Sequence, residues 1–177
     1  LTIIDQSEIN EKEIIQDLSF LRNENLFLLK KEKVLDIINS YPFVENFIVF
    51  KNYPSNMKIN IKRTNYLAIT QKDGMNFYLG SNGKLIKIKQ KQKQNHIPFI
   101  FGNLHIPDFF KIKKIINRSN FDYKDIKNFY YFKNKRWDIE TKNGLIIKLP
   151  SKNLEFAFET LLNILQNDEF INIKEID

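Results

Sequence analysis

Cysteine is absent from the 177 residues. That excludes disulfides, thiol catalysis and every zinc site built on thiolates, while leaving the compartment open. Histidine is nearly absent as well. His96 and His105 are the only two, and neither sits in a metal-ligand spacing, so a loop or surface role is the ordinary expectation. Glycine numbers only 5, and no Walker loop, dinucleotide fingerprint or nucleophile elbow is present. Loops that cradle phosphate are therefore not expected, nor is any cofactor or catalytic residue. Asp122 and Asp125 are close enough to pair, but a cap or surface role is the commoner use of such residues. No apolar run reaches the roughly 18 residues that a membrane-spanning helix needs, and no secretory leader opens the chain. The first residue is Leu1 and the last segment is strand-like. Both ends read as cut, which leaves room for a membrane segment outside this sequence.

What is there is a folding sequence. Hydrophobic residues make up 42% of the chain and aromatics 14%, enough to build cores and too much for a disordered tail. The 16 Phe and 7 Tyr fall mostly in strand-like runs, which points to a β-rich fold. The net charge is +7. Such a balance suits a nucleic-acid partner. It equally suits a Lys-, Asn- and Ile-heavy coding bias, and the scatter of Lys over polar positions favours the second reading. The densest basic run is Lys84, Lys87, Lys89, Lys91 and Lys93. It reads as the wet side of a strand and a loop, or as a contact for anionic headgroups.

The clearest local pattern lies between Tyr41 and Ile61. Val34, Leu35, Ile38 and Tyr41 recur at helical spacing, and the helix must stop before Pro42 because the residue preceding proline avoids the helical region. Strands follow over 44–51 and 57–62, the second alternating apolar and polar residues, with Tyr53-Pro54-Ser55-Asn56 as the turn. Upstream, Leu1 to Ile4 reads as a strand. Asn10 with Glu13 reads as a capping box opening a helix that carries Ile14, Ile15, Leu18 and Leu21 on one face. A further strand is expected over 66–72. The first unit thus reads β-α-α-β-β.

Downstream, a hairpin is expected from Phe77 to Lys89 about Ser81-Asn82-Gly83. A polar loop covers 90–95, and the apolar run Ile97 to Gly102 ends in a turn. A helix is expected over 108–117, strands over 129–132, 137–141 and 145–149, and an amphipathic helix over 154–165. In that last helix Leu154, Phe158, Leu161, Leu162 and Leu165 share a side. A final alternating strand covers Phe170, Ile171, Asn172, Ile173, Lys174, Glu175 and Ile176. Trp137, between Arg136 and Asp138, is either an interface hot spot or, as is commoner in a strand, a core residue.

These residues carry a resemblance. Pro42-Phe43-Val44, then Phe47, Val49, Lys51, Tyr53-Pro54, Met57, Ile59 and Ile61 resemble the hairpin of the extracytoplasmic part of the bacterial cell-division family FtsQ/DivIB. Asn25-Leu26-Phe27 is similar to that family's connector, and Ile97-Pro98 through Gly102 to its Leu-Pro-x-x-x-Gly. The order Lys135-Arg136-Trp137-Asp138-Ile139, Asn143-Gly144, Leu149-Pro150 and Ala157 resembles the second-domain signature of its proteobacterial members. Two positions depart: Arg63 stands where the family usually has Glu, and Tyr66 where it usually has Pro.

The resemblance implies an α+β fold with a POTRA domain at 1–72. A mostly antiparallel β domain with a C-terminal helix would follow at 73–177, its last edge strand cut short. It implies a non-enzymatic divisome protein at the division septum, anchored by one inner-membrane helix outside this sequence, with this region in the periplasm. Its partners would be FtsB- and FtsL-like bitopic proteins, docked by strand addition on Phe170 to Ile176 and the adjoining helix, with no nucleic acid bound. Two other readings stand beside it. One is a POTRA-containing outer-membrane secretion or assembly factor, which usually carries repeated POTRA units where one is visible here. The other is a basic nucleic-acid-binding module, although the clustered aromatic and basic face of a single-strand binder is missing.

Overall fold

The structure is a computed structural model that describes residues 2–5, 11–20, 31–54, 56–88, 97–165 and 174–177. The chain forms two compact units. The first comprises residues 1–66 and 80–86, the second 67–79 and 87–177.

The first unit follows the order strand, helix, helix, strand, strand: β1 (Thr2–Asp5), α1 (Glu11–Asp17), α2 (Lys31–Ser40), β2 (Val44–Asn52) and β3 (Asn56–Arg63). β3 lies in the middle of a three-stranded sheet, parallel to β1 and antiparallel to β2. The alternation read from the sequence fixes this sheet. Met57, Ile59 and Ile61 point one way and are buried with Ile14 and Leu18 of the first helical segment, Val34 and Ile38 of α2, and Phe43 and Val44. The intervening Lys58, Asn60 and Lys62 stay on the other face. The expected Asn10 cap and the 23–29 connector lie outside the described residues.

A small hairpin loop is stitched to this unit by side chains. Asn82 Nδ2 donates to the carbonyls of both Pro42 and Val44, each at 2.9 Å. Thr64 Oγ1 and Ser81 Oγ are 3.0 Å apart, and Ser81 Oγ donates to Glu45 Oε2 at 2.9 Å.

The second sheet has eight strands in the order β11-β10-β9-β8-β7-β4-β5-β6. They are β4 (Tyr66–Lys72), β5 (Met75–Gly80), β6 (Leu85–Lys87), β7 (Phe99–Phe101), β8 (Ile126–Tyr131), β9 (Trp137–Thr141), β10 (Ile146–Leu149) and β11 (Glu175–Ile176). Two expectations change here. The strand at 66–72 belongs to this sheet, where it pairs with β7, so the large sheet starts earlier than the expected boundary after residue 72. The sheet is also mixed rather than mostly antiparallel. β4–β7, β7–β8 and β10–β11 are parallel, while β8–β9 and β9–β10 are antiparallel.

The physical reason is the helices. Parallel neighbours cannot be joined by a tight turn and need a crossover. α3 (Ile106–Arg118) bridges β7 to β8, and α4 (Leu154–Leu165) lies between β10 and β11. β7 lies within the apolar run that the sequence shows ending in a turn, and its three residues give no alternation that would mark a strand.

The core of this unit is aromatic. Phe129 of β8 meets Phe109 of α3 edge-on at 5.7 Å between ring centres, and Trp137 edge-on at 5.9 Å. Ile112 and Ile116 of α3, Ile139, Ile147 and Leu149 of the sheet, and Phe158 and Leu161 of α4 are buried with them. Leu165, expected on the inner side of α4, is exposed. Gly102 turns the chain out of β7 at a φ of +102, and a Cβ there would lie 2.0 Å from the Tyr131 carbonyl oxygen. Only glycine allows that approach.

Candidate docking edge of the large sheet

Of the seven residues expected to form the docking strand, Lys174, Glu175 and Ile176 are described, and Glu175–Ile176 form β11. Phe170, Ile171, Asn172 and Ile173 lie outside the described residues. β11 is the terminal strand of the eight, next to β10, with Glu175 opposite Ile146 and Ile176 opposite Ile147. The Ile146 N–H donates to the Lys174 carbonyl at 3.0 Å. In a parallel ladder a residue bonds to the neighbours of its opposite number, not to the opposite residue itself. The N–H and C=O of Glu175 therefore point away from β10, toward the outer edge.

Charge fastens this short strand. Lys148 of β10 donates its Nζ to Glu175 Oε1 and lies 3.9 Å from Asp177 Oδ2. The bond to Glu175 raises the Lys148 pKa. One strand further in, Asp138 stands opposite Lys148. Arg136 Nη2 donates to Asp138 Oδ2 at 3.2 Å. Arg136 Nε lies 3.1 Å from Asp138 Oδ1, but these two atoms make no aligned hydrogen bond. Burial outweighs the neighbouring cations at Asp138, and its pKa is raised.

Two further carboxylates of this unit and a tyrosine are held by hydrogen bonds. Glu140 accepts from Lys127 Nζ at 2.6 Å, Asn128 Nδ2 at 2.8 Å and Tyr130 Oη at 2.7 Å. With Lys127 the largest cause, these bonds hold its carboxyl down at about 2. Asp108 accepts from Tyr131 Oη at 2.7 Å and Lys111 Nζ at 3.2 Å, and His105 Nδ1 sits 3.0 Å away. It too falls to about 2, the Tyr131 bond contributing most. Burial, then the bond to Asp108, pushes Tyr131 up to about 12. Carboxylates so fully engaged have little capacity to exchange protons near neutral pH.

The remaining sequence candidates resolve as follows. His105 precedes the first turn of α3 beside Asp108, and His96 lies outside the described residues. Among the described residues no group of three or more His, Asp or Glu could hold a metal ion. Asp122 caps a short turn by accepting from the Lys124 N–H at 2.9 Å. Trp137 is 2% exposed and is core. Of the basic run, Lys84 donates its Nζ to the Asn39 carbonyl at 2.8 Å, Lys87 is exposed, and Lys89, Lys91 and Lys93 lie outside the described residues. No helix among the described residues is long and apolar enough to cross a membrane.

Two features escaped the sequence reading. Lys148 fastens the edge, and the alternation of Ile147, Lys148 and Leu149 does mark it as facing away from the core. Phe156 of α4 is 72% exposed, and the helical spacing of its neighbours gives that signal too.

Comparison with known proteins places the chain in a family. The family model described as "Cell division protein FtsQ/DivIB, C-terminal" matches residues 68–177. The cell division protein FtsQ of Rhizobium meliloti (strain 1021) is 22% identical, over 93% of this chain and 53% of the relative. That of Rickettsia bellii (strain RML369-C) is 22% identical, over 97% of this chain and 65% of the relative. The chain thus spans between half and two-thirds of the length of these two relatives. A solved structure, the major extracytoplasmic domain of the trans isomer of the cell division protein DivIB from Geobacillus stearothermophilus, aligns over 55% of this chain and 87% of that one. Its TM-score is 0.40 and its identity 12%. Since the family model takes in more than half the residues, from β4 to the last strand, the chain belongs to the FtsQ/DivIB cell-division family.

Proposed function

We propose that this chain is the extracytoplasmic part of a single-pass inner-membrane division protein that docks FtsB- and FtsL-like partners by strand addition at β11. Family membership supports a non-enzymatic role in cell division and interaction with other divisome components. In this reading the first unit is a POTRA domain that aids recruitment, and the membrane helix precedes the sequence. The observation that carries the docking reading is the outward N–H and C=O of Glu175 on the terminal strand. An unpaired edge offers main-chain donors and acceptors to an incoming strand, and side chains on alternate faces select it. Phe156 on α4 supplies an exposed apolar anchor on the adjoining helix.

The test is titration of the protein with the extracytoplasmic segments of its FtsB- and FtsL-like partners. Glu175→Pro removes the outward N–H and should weaken binding about tenfold or more, as expected for a lost main-chain contact at a pairing edge. Glu175→Gln, which alters the Lys148 pair but keeps the backbone, separates the two effects. Unchanged affinity in Glu175→Pro, with an unaltered circular dichroism spectrum, removes the strand-addition reading.

A further inference from the structure

β2 presents a second edge, in the other unit, and we infer that it pairs with β2 of a second copy of this chain, antiparallel about a two-fold axis through Val49. This goes beyond the docking of division partners and uses none of the residues invoked there.

β2 is the terminal strand of the three-stranded sheet, and its register with β3 shows which backbone groups face out. The Val44 carbonyl accepts from Asn82 Nδ2, and the Phe47 N–H donates to Asn46 Oδ1 at 2.7 Å. Neither group is therefore spent on β3. A bulge between Val44 and Asn46 accounts for the change of parity between these two residues. Beyond it, alternation turns the backbone groups of Val49 and Lys51 to the same outer side as those of Phe47. The loop carrying Ser81 and Asn82 occupies the start of the edge at Val44 and Glu45. The stretch from Asn46 to Asn52 lies beyond that loop.

This stretch is apolar where an edge exposed to water is normally charged. Ile48 is 55% exposed and Phe50 44%. Both lie on the face opposite the core, while Phe47 and Val49 pack on the core. A two-fold axis at Val49 places Ile48 of each copy opposite Phe50 of the other. An aromatic beside a β-branched residue is among the favourable cross-strand pairs. Phe47 then faces Lys51, and no like charges meet.

The strand's charges select the same orientation. Glu45 stands at its beginning and Lys51 near its end. The bulge leaves Glu45 on the outer face with Asn46 and Ile48, whereas Lys51 keeps the core-side parity of Phe47 and Val49. An antiparallel copy therefore sets the acidic end of each strand alongside the basic end of the other, with the two side chains on opposite faces. A parallel copy would align like with like. Such self-complementarity is what a closed two-fold interface requires, and it argues for a second copy over an unrelated strand.

The absence of cysteine makes the test clean. In sedimentation velocity over a concentration series the protein should show a monomer–dimer equilibrium. Ile48→Lys and, separately, Phe50→Glu should each raise the dissociation constant about tenfold or more, because each spoils two symmetry-related cross-strand pairs. Both side chains are largely exposed, and circular dichroism checks the fold. Under mild oxidation the double variant Ile48→Cys with Phe50→Cys should form a disulfide-linked dimer, since opposite residues bring their Cβ atoms to about 4.5–5.5 Å. Ile48→Cys alone should not. A sample that stays monomeric at high concentration overturns the proposal. So does a dimer indifferent to both charged variants, or efficient cross-linking by Ile48→Cys alone.

Discussion

The two sheets end in opposite kinds of edge. β2 is nine residues long and is positioned by burial of alternate side chains on an aliphatic core. β11 is two residues long, rests beside an aromatic core, and is fastened by Lys148 to Glu175 and Asp177. A long edge needs no charge to stay in register, because a slip of one residue would turn Phe47 and Val49 out of the core. A short one has little apolar leverage, and ion pairs supply what burial does not. The first edge should therefore be insensitive to salt and the second sensitive to it.

The largest expected effects lie in the two cores. Phe129→Ala should cost the second unit about 4 kcal/mol, and Ile59→Ala should cost the first about 3 kcal/mol, by lost burial and by the cavity left behind. Urea unfolding followed by Trp137 fluorescence reports the second unit. Hydrogen exchange of the β3 amides reports the first. Equal costs in the two units would show that the aromatic cluster adds nothing beyond its size.

Gly102 marks a further difference between the two sheets. β2 and β3 contain no glycine, whereas the large sheet brings the Tyr131 backbone against a bare Cα at the end of β7. Gly102→Ala should destabilise the second unit by about 2–3 kcal/mol, through strain at positive φ and displacement of the carbonyl. Gly144→Ala, also at positive φ but with open space around it, should cost only about 1 kcal/mol. Thermal melts of the two variants check the order.

Acid should act on the second unit in a defined window. Asp108 and Glu140 both have carboxyl groups lowered to about 2 in the folded state. Their contribution is fully present above the unfolded carboxylate range and is lost as pH falls from about 4.5 toward 2. After allowance for solvent screening, the loss is about 1 kcal/mol for each group. Tyr131→Phe removes the main cause of the Asp108 shift, so the Asp108 carbon resonance should titrate at higher pH. A midpoint that does not move would assign the shift to Lys111 and His105 instead.

The smallest effect concerns the latch. Lys148→Met should leave the melting of the unit nearly unchanged and speed exchange of the Ile176 amide about threefold, as expected when a surface ion pair is lost. Added salt should mimic the variant. Protection that survives both changes would mean that backbone pairing alone holds β11.

The parts of this molecule legible in the sequence are the local ones. Alternation from Met57 to Lys62 and the turn at Tyr53-Pro54 fix β3 and its hairpin with β2, because neighbouring strands pair through a short connection. The spacing of Leu154, Phe158 and Leu161 fixes α4, and the run Trp137 to Thr141 fixes β9. Of the candidate docking edge, Glu175 and Ile176 were legible as part of a final strand, but not their fastening, since Lys148 and Glu175 are far apart along the chain.

From the sequence alone follow the order of the helices and of the longer strands, the absence of thiol chemistry, and the residues that carry the family resemblance. Each depends on neighbours in the chain or on composition. Tertiary structure decided that 66–72 joins the large sheet, that three residues at 99–101 form a strand within it, and that its pairings are partly parallel. It also decided which edges have no neighbouring strand among the described residues and which way their backbones face. Those outcomes depend on contacts between distant segments, where side-chain period says which face is buried and nothing about which strand lies beside it.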